Sequence, residues 1–165
     1  MAKTKSVGAS NTYETLVRSY VPSLPLSERK ILTASEEGRK YTLDISGGKR
    51  SVMFDVDDNI IKDGLKCDKL VLIDASAAGS KNVWIEIFVE LKGTDVAHAI
   101  DQLRATMKNR LFSHQSNKMI KARIVAASFP ANKSNPVMEK AKKEFASLPY
   151  RCELRGLKNG QRDKV

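Results

Sequence analysis

Aromatic residues are scarce, at 6% of a 165-residue chain, and Trp84 is the only tryptophan. A binding surface built from many stacked rings is therefore not expected. Cysteine is scarcer still. Cys67 and Cys152 stand far apart, with no CxxC pair and no Cys/His cluster. That argues against a zinc site and against the disulfide framework of a small secreted domain. Two packing thiols in a reducing, cytoplasmic setting are the expectation. Long apolar runs are also missing. The longest, around residues 83–91, is interrupted by Glu86 and Glu90, well short of the ~18 apolar residues of a membrane span. The opening MAKTKSVGAS lacks an apolar h-region, so neither a signal peptide nor a membrane partner is expected.

What the chain has in excess is positive charge. Its formal net charge is +10 and its pI is near 9.7. Such a balance favours polyanions, because each neutralised phosphate releases condensed counterions. Nucleic acid is the expected partner. Arg104, Lys108, Arg110, Lys121 and Arg123 cluster in sequence as candidates for backbone contacts, although some must form a merely solvated face. With 41% hydrophobic residues, the chain is long enough to bury a core as one domain.

The pattern along the chain predicts a mobile segment over 1–10, one domain over 11–157 and a frayed basic tail over 158–165. Residues 11–20 read as a short helix capped by Asn11. Pro22 and Pro25 interrupt it, and SERKILTASEEGRK reads as a further turn or two of helix before Gly38. Two strands follow at 40–45 and 51–56, joined by a hairpin at SGGK. A third runs from Asp68 to Asp74, and a fourth over 82–92 is apolar on both faces, as in a central strand. Asp95 or Thr94 caps a helix carrying Val96, Ala99, Ile100, Leu103 and Met107 at helical spacing. A buried strand at 121–128, a helix opened by Pro136 with Val137, Ala141, Phe145 and Leu148 inward, and a strand at 150–154 complete the order. Short links before residue 92 imply antiparallel pairing, and strand–helix alternation after it implies parallel crossovers. The fold class is α/β, a mixed sheet flanked by helices.

Chemistry concentrates at the end of the fourth strand. Residues two apart on a strand share a face, so Glu90 and Lys92 project together with Leu91 turned away. If the third and fourth strands form a hairpin, Asp68 lies beside Glu90, and Asp74 falls at the far end. Two carboxylates with a backbone carbonyl, that of Leu91, make a hard oxygen site suited to Mg²⁺ or Mn²⁺. Lys92 would orient a water or offset developing charge.

These residues resemble a known family. CDKLVLID, WIEIFVELKG and DVAHAIDQL are similar to the motifs of the PD-(D/E)XK nuclease superfamily, with Asp68, Glu90 and Lys92 in the catalytic positions. The resemblance implies a restriction-endonuclease-like αβββαβ core, here with an additional C-terminal helix and strand. It implies a metal-dependent nuclease acting on DNA, an endonuclease in preference to an exonuclease, which can work as a homodimer. It implies a supporting role for Gln102, and for an upstream helix acid, for which Glu14, Glu28, Glu36 and Glu37 all qualify and Glu14 is favoured. His98, four residues before Gln102, is a further candidate to approach substrate or metal. Cys67 stands where the motif's proline would be. The alternatives are a nuclease-fold module that binds nucleic acid or a protein without cutting, and a chance motif.

Overall fold

Three apolar segments without helical periodicity, at 70–73, 85–89 and 122–126, become the buried middle of one sheet. The computed structural model describes residues 8–77, 82–91, 95–126, 135–147 and 149–165. Its elements run α1 (Thr12–Val17), β1 (Leu24–Glu36), β2 (Arg39–Asp55), β3 (Lys69–Asp74), β4 (Trp84–Glu90), α2 (Val96–Met107), a 3₁₀ turn (Arg110–Phe112), β5 (Asn117–Ala126), α3 (Pro136–Ala146), β6 (Cys152–Lys158) and β7 (Arg162–Lys164). The fold is α/β with a mixed sheet. β1 to β6 are hydrogen-bonded in chain order, and β7 joins alongside β2. β1 to β4 pair antiparallel, whereas β4–β5 and β5–β6 pair parallel. The parallel steps are those that α2 and α3 connect, as parallel neighbours need a long crossover.

Local chemistry explains most boundaries. The Asn11 side chain accepts from the Glu14 amide and starts α1. Asp95 does the same for α2 through His98 N–H, and Asn135 with Pro136 opens α3. On α3 the inward residues are Met138, Ala141 and Phe145; Val137 is exposed, one position off the expected stripe, and Leu148 lies outside the described residues.

Three expectations are corrected. Residues 27–36 are strand, not helix: β1 pairs with β2 through a two-residue turn, with Glu37 and Gly38 at φ 47° and 78°. The ladder and the burial of Leu32 and Ala34 outweigh the helix propensity of Glu, Lys and Arg. Residues 46–49 are not a hairpin either, because β2 is one strand through them. The register jumps there from Arg29↔Lys49 to Ile31↔Asp44, with Gly47 and Gly48 at positive φ. The glycines form a bulge that bends the strand. Beyond that bend Leu32, Tyr41, Leu43 and Ile45 pack over Ile87, Val89, Val125 and Leu157 on one face of the sheet. The helices share the other face, where Leu16, Leu103, Met138 and Phe145 pack with Leu70, Phe88 and Ile124. So the sheet carries helices on one side and its own folded hairpin on the other.

The tail is the third correction. β6 runs to Lys158, and β7 lies parallel to Thr42–Asp44 of β2. Asp163, 1% exposed, receives the Tyr41 hydroxyl at 2.7 Å and Arg123 Nε at 2.8 Å. A buried ion pair with a phenol hydrogen bond holds the C-terminus, which local composition cannot show. Among the described residues no helix is long and apolar enough to cross a membrane.

Candidate active site

β3 and β4 form the expected antiparallel hairpin. Their register runs from Asp74↔Trp84 to Lys69↔Val89, and Asp68 N–H extends the ladder to the Val89 carbonyl at 3.1 Å. Period-two alternation then sets the faces. Val71 and Ile73 join the hairpin-covered core, while Leu70 and Leu72 join the helix-covered core. Asp68 therefore faces the helices, and so do Glu86, Phe88 and Glu90 of β4. Asp68 is 3% exposed and Glu90 fully buried. The backbone amide of Leu91 donates to Asp68 Oδ2 at 2.7 Å. That bond fixes one carboxylate against the strand end that carries the other. Leu91 thus contributes its N–H among the described contacts. Lys92, the remaining motif residue, lies outside the described residues.

The segment leading into Asp68 is stitched to α2. Gln102 Nε2 donates to the Lys66 carbonyl at 3.1 Å, and the Thr106 hydroxyl accepts from Cys67 N–H at 2.8 Å while donating to the Gln102 carbonyl at 2.8 Å. Gln102 is therefore beside the site and buried, and its Oε1 has no hydrogen-bond partner among the described residues. Cys67 fills the position before Asp68. Burial pushes its thiol far up, the Thr106 hydroxyl offsets part of that, and the charges of Glu90 and Asp68 add to it. The thiol is inert packing beside the two carboxylates.

Other candidates go elsewhere. Glu14 sits on α1, whose Asn11 and Tyr13 contact Asn82 and Trp84 at the opposite end of β4; its carboxylate accepts from Ser10 N–H instead. His98 is exposed on the first turn of α2, and no contact joins it to Asp68 or Glu90 among the described residues. Asp74 lies at the far end, accepting from Ser76 N–H and 3.7 Å from Arg50, as a turn residue.

The basic candidates divide. Arg123 is 1% exposed and spent on Asp163 and Glu153. Lys121 is nearly buried, 3.8 Å from Glu153. Arg104 clamps α2 to α3 through Glu144 at 2.7 and 2.9 Å and also pairs with Asp101. All three are engaged in ion pairs, and burial removes Arg123 and Lys121 from the surface where a nucleic acid would be met, whereas Arg104 stays partly exposed. Their strands and helix bring acids within reach that lie up to 40 residues away in sequence. Lys108 and Arg110 remain exposed. Sequence reasoning passed over Glu86, a charged residue four positions before Glu90 in an apolar strand, and so on the same face; that spacing was its signal.

The donor set suits a hard cation. Two buried carboxylates on neighbouring strands supply oxygen ligands only. Among the described residues no group of three or more His, Cys, Asp or Glu is gathered for a metal, so the site rests on this pair. Comparison with protein-family models finds no match, and neither curated proteins nor solved structures provide one.

Proposed function

We propose that the chain is a divalent-metal-dependent nuclease of the PD-(D/E)XK kind, hydrolysing phosphodiester bonds in DNA. The observation that carries this reading is the bond from Leu91 N–H to Asp68 Oδ2 at 2.7 Å, which sets Asp68 beside the strand end bearing Glu90. The strand order supports it too. The run β2 to β6 contains the three strands, crossover helix and fourth strand of the proposed core, with one antiparallel step on each side of β3. α3 and β6 are its C-terminal addition, and β1 is an edge strand outside it.

In this reading Asp68 and Glu90 hold Mg²⁺ or Mn²⁺, with the Leu91 carbonyl adjacent. When bound, the cation supplies Lewis acidity at a phosphoryl oxygen and an acidified water. The chain's own residues do the positioning. Leu91 N–H stops Asp68 from rotating, and Gln102 and Thr106 fix the backbone that carries it. Lys92 follows Glu90 by two residues and offsets charge developing on the phosphate. Lys108 and Arg110 meet the nucleic-acid backbone without reading sequence.

The test is cleavage of circular plasmid, linear duplex and branched DNA with Mg²⁺ or Mn²⁺. Asp68→Asn and Glu90→Gln keep shape and remove charge, and each is expected to cut at least about 100-fold more slowly. Cleavage that survives in either variant, or in chelator, sinks the reading.

A second reading has one observation in its favour. Glu90 is fully buried and Asp68 nearly so, which suits a module that binds nucleic acid without cutting it. Binding in chelator with no cleavage of any of the three substrates would select it.

A further inference from the structure

On the helix face of the sheet, a cleft of about 420 Å³ opens between the end of α2, the 3₁₀ turn and the starts of β5 and β6. It falls in the ~300–1,000 Å³ range of small-ligand pockets. The most buried polar side chain lining it is Glu86, on the same face of β4 as Glu90 and four residues before it, roughly 13 Å along the strand. Glu86 is 2% exposed, and its Oε2 has no hydrogen-bond partner among the described residues. Asn117 lines the same cleft. Its Nδ2 is committed to the Thr12 hydroxyl and the Phe112 carbonyl, while its Oδ1 is buried without a partner. Two unsatisfied buried oxygens in one concavity point to a ligand with matching groups, since buried polar atoms are normally paired.

We propose that this cleft receives an amino-bearing nucleobase, adenine or cytosine, with its sugar and phosphate directed to the exposed Lys108 and Arg110. The base chemistry follows from the donors and acceptors. Burial keeps the Glu86 carboxyl protonated well above its ordinary range. It then offers one O–H donor and one carbonyl acceptor side by side. That pair matches a ring nitrogen flanked by an exocyclic amine, as in adenine and cytosine. The second amine hydrogen suits Asn117 Oδ1. Uracil and hypoxanthine can also meet the Glu86 pair, through a carbonyl and a ring N–H, but they present a carbonyl where the second amine hydrogen would be and leave Asn117 Oδ1 unmet. The apolar lining suits a flat ring: Phe88 and Phe112, each 1% exposed, meet edge to face at 5.7 Å behind it, and the half-buried Tyr150 lines the same cleft. Base–aromatic stacking together with hydrogen bonds to the pairing edge is how extruded bases are held. Lys108 and Arg110 also line this cleft, so phosphate attraction and the polar floor belong to one site.

The choice of a nucleobase rests on the nucleic-acid reading above. The pocket's chemistry is shared by a free nucleotide and a base swung out of a strand, and separate arms tell them apart. The full chain is titrated calorimetrically in EDTA with AMP, CMP, UMP, IMP and inorganic phosphate, then with dA, dC and dT oligonucleotides of equal length. AMP and CMP are expected to bind about tenfold or more tighter than UMP and IMP. Selectivity confined to oligonucleotides would identify the source as a base within a strand. Asn117→Leu should lose the preference, Glu86→Leu should weaken binding of every base, and Glu86→Gln, which keeps one donor and one acceptor, should retain both affinity and preference. Equal binding of amino and non-amino bases, binding of inorganic phosphate as tight as that of AMP, no binding in any arm, an unchanged preference in Asn117→Leu, or unchanged affinity in Glu86→Leu overturns the proposal. Wild-type selectivity needs no variant, so a Glu86→Leu chain that fails to fold leaves a decisive measurement. EDTA removes metal-dependent cleavage, so binding in the cleft is read without it. A pocket that binds in a protein that never cuts therefore separates this proposal from the nuclease reading.

Discussion

Two buried carboxyl groups are held in opposite states, and pH should reveal both. Burial alone raises Glu86 well above 4.5. At Asp163 burial also raises the value, but the Tyr41 hydroxyl and the Arg123 charge outweigh it and hold the group below 3.8. The signs follow from which state keeps the proton. Above about pH 4.5 the unfolded chain releases the Glu86 proton and the folded chain retains it. The Glu86 contribution is thus a stability loss that grows with pH until the folded pKa is reached. Asp163 stabilises above about pH 3.8, and that stability is lost as pH falls through its depressed folded value. Lys108, Arg110, His114 and Tyr150 also line the Glu86 cleft, so the readout is the difference between two denaturation curves. Glu86→Gln is expected to gain stability relative to wild type as pH rises from about 4.5. Parallel curves would mean that Glu86 is not held protonated. At neutral pH, Asp163→Asn leaves Arg123 buried without its full counter-charge and is expected to cost about 3–5 kcal/mol by urea unfolding. A cost below about 1 kcal/mol would place that ion pair in the weak, solvated class.

At the scale of elements, what the sequence disclosed depended on range. β3, β4, α2 and α3 were legible because their signals are local: an apolar run between turn residues, an Asp95 cap, a Pro136 start. The β3–β4 hairpin, and with it the Asp68–Glu90 neighbourhood, followed from loop length and the short link between the strands. β1 was misread because its composition favours helix while its pairing with β2 is decided by the chain folding back on itself. The glycine pair was seen but assigned to the wrong device, since a hairpin turn and a bulge both call for positive φ. The bend carries its own prediction. Gly47 and Gly48 adopt φ 75° and 70°, a region that costs an L-residue about 1–2 kcal/mol. A Cβ at Gly47 would meet nothing within 4 Å, so Gly47→Ala isolates that backbone cost. It is expected to lower the urea midpoint by the equivalent of about 1–2 kcal/mol without changing the slope. An unchanged midpoint would mean that β2 passes residue 47 without the bend.

For the whole molecule, a net charge of +10 says that polyanions are attracted but not where they land. Formal charge treats every Lys and Arg alike, whereas the fold spends several of them internally. Lys69 holds Asp55 and Glu36 at 2.7 and 3.1 Å, Arg123 holds Asp163, and Arg104 holds Glu144. These commitments join residues distant in sequence, which is why a cluster along the chain overstated the binding surface. Lys108 and Arg110 differ, because they are exposed and border the Glu86 cleft. Salt dependence separates the two groups, since each phosphate contact adds about 0.9 to the magnitude of the slope of log K against log salt. Measured on duplex and single-stranded DNA in chelator, Lys108→Ala and Arg110→Ala are each expected to reduce that slope by about 1 and to weaken all sequences alike. Arg104→Met should lower the melting temperature by releasing α3 from α2 and leave the slope intact. If the Lys108/Arg110 double variant keeps the wild-type slope, the nucleic acid does not run past the end of α2. The base pocket would then lose the phosphate anchors that connect it to a strand.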